Sequence, residues 1–167
     1  MNRASLALHE ASHAIVAVVV GIDIESAWIT VAGDGGCQAR GSSFDRSTSL
    51  KWAKYFVAGA VIDHATSRTA IDWAREELVG DVARLCQHCR DSDIAPAIAV
   101  AREILTANFP AVRLIATQLA AFGEVSGSEV ARVQAACRLM ARPYGSPRSL
   151  AAQIQGWLQH STLANHN

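Results

Sequence analysis

Two histidines and a glutamate near the start of the chain have the types and spacing that could do chemistry. They stand in the run His9-Glu10-Ala11-Ser12-His13, an HExxH pattern. Residues four apart on an α-helix lie one above the other on the same face, so His9 and His13 can reach one metal ion together. Zinc accepts imidazole nitrogen at about 2.0–2.1 Å, and a catalytic zinc keeps one position open for water. Glu10 follows the first histidine and can lean over that open side as the base for the water. The plainer alternative is an ordinary helix carrying two partly buried histidines.

Two histidines need a third ligand from elsewhere in the chain. A helix expected over residues 70–90 has an apolar stripe at Ile71, Ala74, Leu78, Val82, Leu85 and Cys89, in steps of three and four. Asp81 lies about 60° from the centre of that stripe, at its edge, and Asp72 about 120° away on the other flank. Glu77 and His88 share the Asp81 flank but stand farther out. A ligand that reaches across to another helix belongs at the margin of a buried face. Asp81 fits best, Glu77 second, Asp72 poorly, and His88 is a further alternative. An aspartate in this position is also commonly a solvated surface residue. Asp63 is a candidate partner behind a ligand or a helix cap, with plain surface exposure the competing reading. Cys86 and Cys89 form a CxxC, but no second such pair exists and both fall on the apolar stripe, where they read as small buried hydrophobes.

The first helix is expected over residues 3–20, ending at Gly21, with 14–20 apolar all round. A metal-binding helix at the centre of a core has this character. The β-rich run 26–31, the turn residues 33–36 and a weaker run 37–44 suggest a hairpin or small sheet. An edge strand there could hold a peptide by strand addition, or the hairpin could simply cover the core. A second helix is expected over 49–65, with Gly59 allowing a close helix contact. Helices over 94–108 and 110–122 are expected to break before Pro110. Ser126-Gly127-Ser128-Glu129 reads as a capping box starting a helix over 127–142. Ser146 and Pro147 start a last helix to about residue 160, with 163–167 a polar tail.

The 167 residues suit one domain with a real core, and half of them are hydrophobic. Lys plus Arg equals Asp plus Glu at 15 each, so no basic surplus points to nucleic acid or an anionic membrane surface. The apolar run 14–20 is shorter than the roughly 20 residues of a membrane span and lacks a basic lead-in, so a cytoplasmic, soluble protein with four free thiols is the expectation.

The segment from His9 to Ala17, HEASHAIVA, resembles the HEAGHAIVA segment of the FtsH-type (AAA-linked) zinc metallopeptidases, especially small stand-alone forms without the ATPase. Val57-Ala58-Gly59-Ala60-Val61-Ile62-Asp63 is similar to that family's glycine-containing helix. Gly80-Asp81-Val82-Ala83-Arg84 is similar to the segment with its third zinc ligand, and segments 108–112 and 125–130 are similar to its C-terminal helices. The likeness spans about residues 7–133, and 143–167 form an additional C-terminal helix and tail. It implies His9, His13 and Asp81 as zinc ligands and Glu10 as the base. The sequence departs from the family pattern at Ser12, where the family has glycine, at Asp63, where it has glutamate, and in a longer loop before Asp81.

The expectation is therefore a mainly α, helical zincin-like peptidase domain with a small β hairpin or sheet after the first helix. It would cleave peptides or unfolded segments, with a separate ATPase or adaptor as candidate partner, an oligomer open, and neither nucleic acid nor membrane. The alternative is a catalytically weak or inactive metal-binding regulatory module that keeps the fold.

Overall fold

The computed structural model describes residues 2–40, 46–65, 71, 79–140 and 149–164. Among these it is mainly helical, at 75 % helix, with a three-stranded antiparallel sheet. The helix α1 (Arg3–Val20) is its axis: every residue from Leu6 to Ala17 is buried, His9, Glu10, Ser12 and His13 included. The Asn2 side chain caps the start by accepting from Ser5 N at 2.8 Å. Gly21 ends the helix in the left-handed region, φ 75°. Gly21 N and Ile22 N donate back to Val18 O and Ala17 O, the double closure of a Schellman motif. Burial stops before the helix does, since Val19 is 39 % exposed, so the last apolar turn is not enclosed as its composition suggests.

The strands β1 (Ile24–Ile29) and β2 (Gly35–Ala39) form the expected hairpin. The register slips between Ile24 and Ser26, and this irregularity lets Ile24, Ala27 and Ile29 all face the core despite their uneven spacing. A third strand, β3 (Glu124–Ser126), pairs with the other side of β1 and leaves β2 at a sheet edge. It went unforeseen because three residues are too few to display an alternation.

The expected second helix is two short ones, α2 (Ser49–Phe56) and α3 (Ala58–Asp63), joined at Val57. The helix expected over 70–90 is seen as α4 (Val79–His88), and Ile71 lies outside any helix. Residues 72–78 lie outside the described residues; of the described part of the stripe Leu85 is buried, Ile71, Val82 and Cys89 are half-buried, and Cys86 is exposed rather than part of the core.

No break occurs at Pro110. A single 32-residue helix, α5 (Asp91–Phe122), runs through both Pro96 and Pro110. Pro110 lacks the N–H that would bond Thr106 O, and Gln153 Nε2 of the last helix donates to that carbonyl instead, at 3.3 Å. The helix α6 (Gly127–Met140) starts at the expected cap, with Glu129 N donating to Ser126 Oγ at 3.3 Å. The Glu129 carboxylate does not return to the cap; it accepts from Arg132 and Gln118. The last helix, α7 (Leu150–Ala164), extends past residue 160 into the segment expected to fray. Ser146 and Pro147 lie outside the described residues.

α1 packs against α5, α3, α6 and the sheet. By length and composition alone α1 and α5 could each cross a bilayer, but the most apolar window of α1 is 61 % buried within the protein, as a core helix is.

Candidate metal centre

His9 and His13 project from the buried middle of α1 toward α3 and α4. Their approach depends on Gly59: a Cβ there would lie 2.6 Å from His13 Nε2 and nearer still to the His9 ring. Glycine is the one residue that lets α3 come this close. Asp81, in the first turn of α4, completes the group. His9 Nε2 and His13 Nε2 are 3.2 Å apart, and Asp81 Oδ2 lies 3.3 Å from the first and 3.0 Å from the second. Among the described residues this is the group of three whose donor atoms could hold one metal ion.

The remaining ring nitrogens settle the protons. His13 Nδ1 is 2.7 Å from Tyr55 O, a carbonyl that can only accept, so Nδ1 carries the hydrogen. His9 Nδ1 is 2.8 Å from the Asp63 carboxylate, which favours the same tautomer. Both Nε2 lone pairs then face each other and the Asp81 carboxylate. Three electron-rich atoms at 3.0–3.3 Å repel unless a cation lies among them. With donors about 2.0–2.1 Å from a tetrahedral zinc, the edges of the tetrahedron are about 3.3 Å, so the residues present fit such an ion. The outer hydrogen bonds from Asp63 and Tyr55 O are of the kind that orient metal-binding imidazoles.

Protons are the other cation the cluster can attract. Burial alone would lower His9, but the hydrogen bonds to Asp63 and Asp81 outweigh it and raise its pKa to about 10. The same contest raises His13, through Asp81, and burial of Asp81 is outweighed by the two histidines, which hold its carboxyl well below the usual range. Glu10 is 6 % exposed, and burial holds its carboxyl above the usual range despite the attraction of His13 and His9.

These groups line a cleft of about 590 Å³. One wall is the edge strand β2, with Gly35 against the Glu10 carboxylate: a Cβ there would meet Oε1 at 2.8 Å. Trp52, Tyr55 and Phe56 of α2 form another wall, and Arg84, Gln87 and His88 of α4 stand along it. Tyr55 ties two walls together, since its hydroxyl donates to Cys37 O of β2 while its carbonyl holds His13. Ser12 is fully buried and satisfied by donating to Leu8 O at 2.7 Å.

Of the residues singled out in the sequence, the structure gathers His9, His13 and Asp81 into one cluster, with Glu10 in the same cleft and Asp63 behind His9. His88 shares the cleft but is outside the cluster; its ring stacks on Phe56. Glu77 and Asp72 lie outside the described residues. Tyr55 was not foreseen because its service to His13 is made by a backbone carbonyl, which no side-chain pattern announces. Gly59 did carry a signal, as a glycine in a helix, without naming what would approach it.

Compared with known protein families, with curated proteins and with solved structures, the chain matches none. Its chemistry has to be read from the site's own geometry.

Proposed function

We propose that this chain is a zinc-dependent metallopeptidase domain of the FtsH type, hydrolysing peptides or unfolded segments. The observation that carries the proposal is the facing of two Nε2 lone pairs and one carboxylate oxygen at 3.0–3.3 Å, each imidazole fixed from behind. His9, His13 and Asp81 would hold the ion, which when bound would act as a Lewis acid, polarising a peptide carbonyl and acidifying water. Glu10 takes the proton from the attacking water and delivers it to the leaving amine. Burial holds its carboxyl above the usual range, which makes it a stronger proton acceptor than an exposed glutamate. β2, unpaired on its outer side among the described residues, offers backbone groups to an extended peptide along the cleft. A cytoplasmic setting and delivery of substrate by a separate ATPase or adaptor belong to this proposal.

The test combines elemental analysis with proteolysis of unfolded casein. Wild type should carry one zinc per chain and cleave; Asp81→Ala should lose most of the zinc. Glu10→Gln should keep zinc and lose about 100-fold or more of the rate, the scale of a general base. Cleavage that survives Glu10→Gln with zinc retained would sink the mechanism. Zinc without any cleavage would leave the metal-binding regulatory module.

A further inference from the structure

Arg84 stands one turn beyond Asp81 on α4 and lines the same cleft, with its side chain exposed. Among the described residues it has no ion pair and no hydrogen bond. Two other surface arginines do have a carboxylate in reach: Arg132 is held by Glu129 at 2.7 Å, and Arg40 stands 3.8 Å from Asp23. Two carboxylates line the cleft: Asp81 belongs to the histidine cluster, Glu10 is attracted by the same two histidines, and a divalent ion held there would offset both charges. That leaves Arg84 as a positive charge in the cleft without a counterpart among the described residues. Gln87, three residues on along α4, adds amide donors to the same wall.

We infer that Arg84 is a substrate-binding residue that takes a carboxylate of the peptide, so that this site prefers substrates with a negative group beside the scissile bond. The inference rests on the peptidase reading of the cleft and names its substrate class. A guanidinium presents a planar fork of donors that matches a carboxylate in a bidentate pair, and it stays charged at every working pH. Its place one helical turn from a metal ligand sets the bound carboxylate within a residue or two of the bond to be cut. The carboxylate has two chemical sources: the free C-terminus of a short peptide, or an Asp or Glu side chain in a longer one. In the first case the protein trims C-termini; in the second it cuts within chains at acidic positions.

The experiment uses matched synthetic octapeptides ending in a free carboxylate or a carboxamide, each made with Glu or Gln at successive positions. Their binding to zinc-loaded Glu10→Gln protein is read by fluorescence polarisation, and their cleavage by wild type is followed in parallel. Peptides with the carboxylate should bind about tenfold tighter or more, as a charge-assisted hydrogen bond gives. The advantage should shrink with added salt. It should vanish in Arg84→Ala and return in part in Arg84→Lys, with zinc content and melting temperature unchanged in both. A preference confined to the terminal acid identifies C-terminal trimming, and one confined to Glu over Gln identifies an internal acidic position. Equal binding of charged and uncharged peptides, binding of neither, or discrimination that survives Arg84→Ala overturns the inference. If discrimination is found but wild type cuts nothing, the peptidase reading fails and the carboxylate site stands.

Discussion

At the scale of single residues, the site depends on groups that never touch substrate. Asp63 orients His9 through one hydrogen bond of 2.8 Å, and loss of such a partner lowers metal affinity about 10- to 100-fold. Asp63→Ala should therefore bind zinc that much more weakly in competition with a chromophoric chelator, with His13 and Asp81 still in place. Charge makes a second prediction, for protein stripped of metal. His9 has a folded pKa of about 10 against an ordinary 6.5. Its contribution is fully present below pH 6.5 and is lost as pH rises toward 10. His13 and Glu10 are raised too and act in the same direction, whereas Asp81 is lowered and contributes above its ordinary 3.8. Melting temperature of the metal-free protein should thus decline from pH 6.5 to pH 10. The increment from added zinc should grow over the same interval, because protons compete for the ligand nitrogens. A melting temperature that rose with pH without metal would contradict the proton placement.

At the scale of elements, the site is an encounter of one central helix with two flanking ones. α1 is rigid because it is enclosed from Leu6 to Ala17 and closed at both ends by capping hydrogen bonds. α3 meets the two histidines at Gly59, so Gly59→Ala puts a methyl into the two imidazoles. Overpacking of this kind costs about 1–3 kcal/mol, and here it also displaces ligands. Chemical denaturation should show the loss, and zinc content should fall with it; an alanine variant with full zinc would mean that α3 can retreat at no expense. Capping and periodicity made α1 legible in the sequence, down to its terminal glycine. The same reasoning failed at Pro110, because the missing backbone bond is replaced by Gln153 from a helix more than forty residues later. It failed at β3 because strand character there comes from pairing with β1.

At the scale of the whole molecule, α4 is the least anchored part of the site. It buries only Leu85, and Asp81 ties it to α1 across the cleft. A bound ion would act as a cross-link between α1 and α4. Removing zinc with a chelator should speed amide hydrogen exchange over residues 79–88, while α1 and α5 in the core stay protected. Uniform exchange changes across the chain would instead indicate that the metal supports the entire fold.

The sequence by itself determined the local matters: the helix that carries His9, Glu10 and His13, its glycine end, and the hairpin after it. These follow from backbone periodicity and capping, which act over a few residues. Only the tertiary structure decided that Asp81, rather than His88, meets the histidines, that Asp63 and the Tyr55 carbonyl fix their tautomers, and that Arg84 lines the cleft without a partner among the described residues. Those facts depend on how separate elements pack and on which backbone atoms the packing leaves exposed. Spacing along the chain carries no record of either.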